Sequence, residues 1–205
     1  MLEIIKVGVM GVNCYVTGDK NEAIIIDPGA SAEKILSVLE YNNIKVKYIV
    51  LTHCHFDHIL AVNEIKEKTG AKIVASKKEC ENLKNPDINM TGMYSRKPLS
   101  IVPDVLVSDD DKITSGSYEY TVIETPGHTS GGICLYCKEE NNLFSGDTLF
   151  CTSIGRCDLP TGEYDTLINS IKTKLLCLPD NTKVFPGHED TTTVLYEKRN
   201  NPYLR

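Results

Sequence analysis

Long apolar segments are missing from this 205-residue chain: no stretch approaches the roughly 18 consecutive apolar residues of a membrane-spanning helix. The N-terminus alternates between apolar and charged side chains, as in Leu2-Glu3-Ile4. The short run over residues 7–10 leads into Gly11 and Asn13 rather than into a small-residue cleavage site. This pattern predicts a strand and not a signal peptide. We therefore expect a cytoplasmic protein without a membrane partner.

Basic clusters are missing as well. Lys and Arg are scattered, with no run longer than three, and the formal net charge is -6. A nucleic-acid-binding domain usually carries a basic patch or stripe, so we expect no nucleic-acid partner. The apolar fraction of 41% is ordinary for a soluble chain that can bury a substantial core.

The eight cysteines are expected to be free thiols, because a chain of this size and location does not need a disulfide framework. Cys134 and Cys137 form the one close pair, inside an apolar run that predicts a strand. Residues three apart on a strand point to opposite faces, which argues against a zinc knuckle or a redox pair. Cys54 is expected in the core, and Cys151 and Cys157 are either packing residues or part of a pocket wall.

Strand and helix patterns alternate at both ends of the chain, with a strand-rich middle. The continuous apolar run over residues 23–26 ends at Asp27-Pro28-Gly29 and predicts a buried strand. Ser31 is a candidate cap for the helix that follows, and Gly70 is expected to end a later helix. The pattern predicts an α/β domain over residues 1–205, in which helices cover sheets.

All five histidines lie in turns that follow strand-like runs. Three fall in the segment His53-Cys54-His55-Phe56-Asp57-His58, and His128 and His188 each end a Pro-Gly-His turn. Asp147 occupies a similar turn, Ser145-Gly146-Asp147-Thr148. Loops at strand ends are where rigid scaffolds present functional groups. These turns therefore predict one shared site.

The candidate ligands number seven, five imidazoles and two carboxylates. They are His53, His55, Asp57, His58, His128, Asp147 and His188. One tetrahedral zinc needs only three protein ligands and a water. Seven ligands suit two metals bridged by one carboxylate, and such a pair, roughly 3.5–4 Å apart, can activate a hydroxide for attack on a carbonyl or phosphoryl group.

Each turn alone has a plainer explanation. Asp57 is a candidate cap for a helix beginning near Ile59, and a single Pro-Gly-His turn is weak evidence for a ligand. The joint pattern favours the metal site. A non-catalytic metal-binding module stays an alternative, although it would lack a ligand and none is missing here.

These segments resemble the metallo-β-lactamase fold superfamily and, within it, the glyoxalase II-like hydrolases. The resemblance extends over nearly the whole chain and follows the family's order of motifs. Its segments are Asp27-Pro28-Gly29, the histidine motif, Thr125-Pro126-Gly127-His128-Thr129, Ser145-Gly146-Asp147-Thr148-Leu149-Phe150, Gly155-Arg156 and Pro186-Gly187-His188. The resemblance implies an αββα sandwich of two mixed sheets flanked by helices, with the metal centre at one edge.

The resemblance also implies a division of the ligands between two divalent metals. The first metal would be held by His53, His55 and His128. The second would be held by Asp57, His58 and His188, with Asp147 bridging both. Asp57 would in addition orient the attacking hydroxide. Zinc is the first expectation, with iron or manganese as alternatives.

The implied reaction is hydrolysis of a small-molecule thioester of the hydroxyacylglutathione type. Full-length glyoxalase II proteins have a longer helical C-terminal domain, whereas this chain ends 17 residues after His188 and resembles the short bacterial form. Arg156 matches a position where the family carries a basic side chain that binds glutathione. A structural ion pair with Asp158 or Glu163 is the alternative role for Arg156.

Two alternative functions stay open. The segment Gly155-Arg156-Cys157-Asp158 also resembles the persulfide dioxygenases, which would use one iron held by His53, His128 and Asp147. A hydrolase of lactones, β-lactams or phosphodiesters on the same fold is the other alternative.

Overall fold

The computed structural model describes residues 1–19 and 21–205, which form two six-stranded mixed sheets with helices on the outer faces. Each sheet is built from one contiguous half of the chain. The predicted αββα sandwich is confirmed.

The first sheet has the strand order β1-β2-β3-β4-β5-β6. Its strands are β1 (Leu2–Val7), β2 (Val12–Gly18), β3 (Glu22–Ile26), β4 (Lys45–Val50), β5 (Lys72–Ser76) and β6 (Val105–Val107). The β1–β2 and β2–β3 pairs are antiparallel, and the pairs from β3 to β6 are parallel. Parallel neighbours need crossover connections, which here contain the helices. Those helices are α1 (Ala32–Tyr41), α2 (Phe56–Ile59), α3 (Val62–Thr69), α4 (Cys80–Lys84) and α5 (Thr91–Tyr94).

The second sheet has the order β14-β13-β10-β9-β8-β7. Its strands are β7 (Lys112–Ser115), β8 (Tyr118–Glu124), β9 (Ile133–Cys137), β10 (Asn142–Gly146), β13 (Lys183–Pro186) and β14 (Thr192–Thr193). A separate two-stranded sheet consists of β11 (Leu149–Phe150) and β12 (Ser153–Ile154). Only β10 and β13 pair in parallel. The helices of this half are α6 (Tyr164–Ser170), which continues into a π-helical turn over Ile171–Leu175, and α7 (Val194–Asn200).

The apolar run at residues 23–26 is explained by burial on both faces of β3. Ile24 and Ile26 point between the sheets, where they join Phe144 and Tyr120. Ile25 points to the other side and packs in the cluster that contains Ile35 of α1. A strand buried on both faces shows a continuous apolar run instead of alternation.

The cysteine predictions are confirmed. All eight cysteines are free, and Cys54 is fully buried. Cys134 packs under the helices of the second half, whereas Cys137 lies between the sheets, so the two point to opposite faces.

The helix ends agree with the sequence in part. Gly70 ends α3 in the left-handed conformation, with φ of 70°. Ser31 precedes α1 as predicted, but its own backbone is left-handed and its side chain makes no capping hydrogen bond. None of the helices in the described residues is long and apolar enough to cross a membrane.

Candidate metal centre

The histidine motif lies in the loop after β4 and in the first turn of α2. The helix begins at Phe56, three residues earlier than the sequence suggested, and His55 is its N-cap residue. Asp57 therefore lies inside the first turn and does not cap the helix. His53 and His55 come from the extended loop, and Asp57 and His58 come from the helix.

The second sheet supplies the remaining candidates at the same edge of the sandwich. His128 follows β8, Asp147 follows β10 and His188 follows β13. All of them follow the carboxyl ends of their strands, so strands distant in sequence present their loops to a common place. The structure thus brings together all seven predicted ligands.

One group consists of His53, His55 and His128, whose ligand atoms lie within 4.8 Å of one another. His55 Nδ1 is 2.8 Å from His128 Nε2. All three rings are buried. Three imidazoles in a dry pocket form a typical zinc- or iron-binding set.

A second group consists of Asp57, His58 and His188, again with ligand atoms within 4.8 Å. His188 Nε2 lies 3.2 Å from Asp57 Oδ2 and 3.3 Å from His58 Nε2. His58 is fully buried, whereas Asp57 and His188 are half-buried. This group therefore lies closer to solvent than the first.

Asp147 lies between the two groups. Its Oδ1 is 3.4 Å from His58 Nε2, and its Oδ2 is 3.6 Å from both His128 Nε2 and His188 Nε2. One carboxylate thus faces ligands of both groups, which is the placement that a bridging ligand needs.

Hydrogen bonds fix the tautomers of His53 and His58. The hydroxyl of Thr52 donates its only proton to Asp27 Oδ2, at 2.6 Å. It must therefore accept the hydrogen bond from His53 Nδ1, at 3.0 Å. His58 Nδ1 donates directly to the same Asp27 oxygen, at 2.9 Å. The neutral forms of both rings carry the lone pair on Nε2, which faces the site.

The other sheet fixes two more rings through backbone carbonyls. His128 Nδ1 donates to the carbonyl of Arg156 at 2.7 Å, and His188 Nδ1 donates to the carbonyl of Met10 at 3.2 Å. Carbonyl oxygens only accept hydrogen bonds, so these rings also carry the Nε2 lone pair toward the site.

The donor set fits metal ions. The facing Nε2 atoms of His58 and His188 are both acceptors in their neutral tautomers, and such atoms repel unless a proton or a metal cation lies between them. Three buried atoms at the site have no hydrogen-bond partner among the described residues: His53 Nε2, His55 Nε2 and Asp147 Oδ1. Buried polar atoms are nearly always satisfied, and orphaned ones point to a missing ion.

Electrostatics prepare the first group for a cation. Burial holds the pKa of His53 well below its usual range, and it lowers the pKa of His55 to about 3. Both rings are therefore neutral near pH 7, which is the ligand form. Burial would raise the pKa of Asp147, but nearby His58, His53 and His128 outweigh it and keep this carboxyl ionised.

The second group carries more negative charge. Burial alone would lower the pKa of His58, but Asp147 and Asp57 overcome it and raise that pKa well above the usual value. The pKa of His188 is raised against burial by its contact with Asp57 and by Asp147. In the protein without metal, these carboxylates attract protons onto the rings, and a divalent cation satisfies the same demand for positive charge.

Close backbone approach leaves room for the ligands. A Cβ on Gly187 would lie 2.2 Å from Asp147 Oδ1 and 2.8 Å from His58 Cε1. A Cβ on Gly29 would lie 1.6 Å from the carbonyl oxygen of Asp57. Side chains at these two positions would displace ligands, which explains why the turns around the site contain glycine.

The site opens into a cleft of about 790 Å³. Its floor includes His55, Asp57, His128, Asp147 and His188. Its walls consist of the β1–β2 hairpin tip, α5 and the segment after β12; their residues are Lys6, Val9, Met10, Gly11, Met90, Tyr94, Arg156 and Leu159. The ligands are therefore reachable by a small molecule.

Comparison with known proteins identifies the family. A sequence model of the metallo-β-lactamase superfamily matches residues 7–188. The chain belongs to this superfamily. The matched range contains all seven predicted ligands.

Relatives in the superfamily are similar over their full length. The chain is 35% identical to the hydroxyacylglutathione hydrolase GloC of Haemophilus influenzae, over 99% of this chain and 97% of that protein. It is also 37% identical to the BLEG-1 B3 metallo-β-lactamase. The match to that crystal structure covers 100% of this chain and 99% of that chain, with a TM-score of 0.94. TTHA1623, solved in a di-iron-bound form, is 30% identical, with a TM-score of 0.88 and coverage of 98% and 100%. The chain is thus a metal-dependent hydrolase of the metallo-β-lactamase superfamily.

Asp27 and Thr52 are site residues of this superfamily member that the sequence reasoning missed. Asp27 belongs to the Asp27-Pro28-Gly29 segment, and Thr52 directly precedes the histidine motif. Asp27 has the same signal as the predicted ligands, since it is a carboxylate directly after a buried strand. Its φ of 50° is left-handed, which Asp tolerates better than most residues and which turns its side chain toward Thr52.

Glu79 is a further residue that the sequence did not predict, and it holds the loop that contains His53 and His55. Its buried Oε1 accepts the backbone N–H of Cys54, at 2.9 Å, between His53 and His55. Asn82 donates to its Oε2 at 2.9 Å. A glutamate in an irregular segment carries no sequence signal for this role.

Arg156 lies on the cleft wall, and it also forms the ion pair that the sequence offered as an alternative. Its Nε and Nη2 donate to Asp158 Oδ1 and Oδ2, each at 2.9 Å, and both side chains are largely exposed. Cys157 and Cys151 do not line this cleft in the described structure; Cys157 packs beside the core under α6.

Proposed function

We propose that this chain is a dinuclear metal-dependent hydrolase of thioesters of the hydroxyacylglutathione type. The observation that carries the proposal is the pair of three-ligand groups with Asp147 between them. His53, His55 and His128 would hold the first metal, and Asp57, His58 and His188 would hold the second. Asp147 would contribute its carboxylate to both.

The metals, when bound, would supply Lewis-acid activation of water and of the scissile carbonyl. The protein's own groups orient the reactants. Asp57 lines the cleft and, besides holding the second metal, would orient the attacking water. Asp27 and Thr52 hold the imidazole rings in the ligand tautomer. The buried floor excludes bulk water and strengthens these interactions.

The thioester assignment has support from similarity to GloC across the full chain. Hydrolysis of a thioester yields a carboxylic acid and a thiol, and the cleft has a size that suits a small-molecule thioester. Arg156 would contact an anionic group of the substrate from the wall, while Asp158 holds its guanidinium in place.

We propose zinc as the resident metal, with iron or manganese as alternatives. Imidazole and carboxylate ligands accept all three ions. The di-iron form of TTHA1623 supports testing iron as well as zinc. Metal analysis of protein purified without added metal is the measurement.

The decisive experiment is thiol release from S-lactoylglutathione by protein loaded with two metal equivalents. We expect release that exceeds the metal-free control and that is lost after chelation. Protein that binds two metals but releases no thiol would contradict the thioester assignment. Nitrocefin belongs in the same screen, because of the similarity to BLEG-1.

A persulfide dioxygenase is the second candidate, favoured by Gly155-Arg156-Cys157-Asp158 and its Arg156–Asp158 pair. That activity would use His53, His128 and Asp147 and one iron. Oxygen uptake with glutathione persulfide, measured on iron-loaded protein, distinguishes the two: uptake supports the dioxygenase, and its absence alongside thiol release supports the hydrolase.

We also propose that residues 1–205 act as one domain. Both metal groups combine ligands from the two halves of the chain, which favours one cooperative unit. A single calorimetric unfolding transition is expected, whereas two separable transitions would contradict it.

A further inference from the structure

An aromatic pair stands at the cleft beside the metal centre. Phe56 lies between the ligands His55 and Asp57, and its ring stacks on Tyr94 of α5 with centroids 4.6 Å apart and an interplanar angle of 19°. Both rings line the cleft. Tyr94 is 57% exposed, so part of this pair is open to a bound molecule.

Tyr94 is carried by a segment that buried hydrogen bonds hold in shape. The side chain of Asn89 donates to the carbonyls of Leu83 and Leu99, at 3.0 and 2.9 Å. Its Oδ1 accepts from the backbone N–H and the hydroxyl of Thr91, at 2.9 and 2.7 Å. Leu99 N–H donates to the Thr91 hydroxyl, at 2.8 Å. The ring position is thereby preorganised, which lowers the entropic cost of contacting a ligand.

Other apolar side chains also line the cleft. Met90 lines the cleft just before α5, and Val9 and Met10 project from the hairpin tip. Val9 is fully exposed and Met10 is 57% exposed. Exposed apolar side chains that gather around a cleft, rather than being scattered, mark a binding surface.

Two cationic side chains, Lys6 and Arg156, also line the cleft. The guanidinium of Arg156 already has Asp158 as a bidentate partner, and Glu189 adds negative charge to the lining. The preorganised feature of the wall is aromatic.

We propose that the Phe56–Tyr94 stack determines specificity by receiving an apolar or aromatic substituent of the thioester. The inference rests on the proposed thioesterase function and names the substrate class for it. Tyr94 is the residue that can be tested, because Phe56 is too close to the metal ligands to be changed without disturbing them. Offset or edge-to-face packing on this pair would favour a phenyl group over a methyl group.

The experiment compares matched thioesters on the two-metal enzyme. In one arm the thiol is glutathione and the acyl group is mandeloyl or lactoyl. In the other arm the acyl group is lactoyl and the thiol is benzyl mercaptan or ethanethiol. We expect the phenyl-bearing ester to have the higher kcat/KM in at least one arm, by about two- to tenfold, as an aromatic contact contributes. The arm that shows the preference tells which side of the thioester contacts the stack.

Three variants separate the stack from general effects. Tyr94→Ala is expected to abolish the phenyl preference, whereas Tyr94→Phe keeps the ring and is expected to retain it. Tyr41→Ala removes a 90% exposed tyrosine from α1, outside the cleft, and is expected to leave the ratio unchanged. If Tyr94→Phe lost the phenyl preference as fully as Tyr94→Ala, the inference would be overturned, because the effect would then depend on the tyrosine hydroxyl and not on the ring.

Binding of unreactive thioethers distinguishes failure of the inference from failure of the proposed function. S-benzylglutathione is expected to bind the metal-loaded protein more tightly than S-methylglutathione, and Tyr94→Ala is expected to remove the difference. Thioester hydrolysis without any phenyl preference, in either arm or in binding, would overturn the inference and leave the thioesterase intact. A phenyl preference in binding without hydrolysis would support the stack and contradict the thioesterase.

Discussion

Thr52 donates two hydrogen bonds to the carboxylate of Asp27, from its backbone N–H to Oδ1 at 2.8 Å and from its hydroxyl to Oδ2 at 2.6 Å. Through the hydroxyl, Asp27 fixes His53 of the first group, and through a direct contact it fixes His58 of the second. A single buried carboxylate therefore orients one ligand of each proposed metal. The orientation of His53 and of His58 therefore depends on this one side chain.

The variant Asp27→Asn is expected to weaken both metals. One of the two accepting oxygens becomes an NH2 donor, so either the backbone N–H of Thr52 loses its acceptor or the Thr52 hydroxyl and His58 Nδ1 lose theirs. Loss of such an outer partner typically lowers metal affinity by about 10–100-fold. Chelator competition with zinc measures this directly, and retention of wild-type affinity at both sites would contradict the role assigned to Asp27.

Substitution of Thr52 separates the two sites. Thr52→Val removes the hydroxyl that accepts from His53 Nδ1, and we expect about a tenfold weaker first metal. The second metal is expected to change less, since His58 keeps its direct contact with Asp27. Thr52→Ser retains the hydroxyl and serves as the matched control. If Thr52→Val lowered the affinity for both metals equally, the prediction that Thr52 acts mainly on the first metal would be wrong.

Removal of the His188 ring tests the division of ligands. His188→Ala takes a ligand from the second group and leaves His53, His55 and His128 intact. We expect the bound metal to fall from two equivalents to one. Metal analysis after gel filtration checks the number, and loss of both ions would contradict two separate ligand groups.

The core between the sheets supports the site mechanically. Phe144 is fully buried and packs against Tyr15 and Phe185, with ring centroids 5.2 and 5.4 Å away. Phe144→Ala is expected to lower the free energy of unfolding by about 3–5 kcal/mol, because it leaves a cavity. Urea unfolding of the metal-free protein measures the loss, with Tyr41→Ala as the exposed control; a change below 1 kcal/mol, roughly the scale of a surface substitution, would argue against the packing role.

Acid sensitivity is expected from Asp104. Its carboxylate accepts from Lys66 Nζ at 2.7 Å and from the backbone N–H of Ile73 at 2.8 Å, and the Lys66 contact is the main cause that lowers its pKa. A carboxyl with a lowered folded pKa stabilises the fold above its unfolded pKa, about 3.9, and loses that effect as pH falls through the folded value.

The expected result is a pH-dependent difference between wild type and Asp104→Asn. The variant should be less stable at pH 7, and the difference should shrink below about pH 4. Thermal unfolding of metal-free protein across this range is the measurement, and Lys66→Met should reduce the same pH dependence. A stability difference between wild type and Asp104→Asn that grows as the pH falls would contradict this prediction.

The sequence predicted the features that depend on local pattern. The run over residues 23–26 predicted a buried strand, and the position of His53 after another apolar run predicted a ligand loop. Cys134 and Cys137 were placed on opposite faces by strand geometry alone. The grouping of the ligands came from resemblance to the superfamily, and the structure brings those residues together.

Contacts between distant segments were not predictable in the same way. The role of Asp27 depends on Thr52, 25 residues away, and the role of Glu79 depends on the backbone of Cys54. Neither contact leaves a periodic signal. Tyr94 ends the short helix α5, for which the sequence has no motif, and only the folded chain shows that it stacks on Phe56.

Both proposed metals take ligands from the two halves of the sandwich. His53, His55, Asp57 and His58 follow the first sheet, and His128, Asp147 and His188 follow the second. Each ion would therefore cross-link one half of the chain to the other. Since metal bound only by the folded form adds its binding free energy to stability, the supply of metal would govern how long the halves stay together as well as whether the enzyme works.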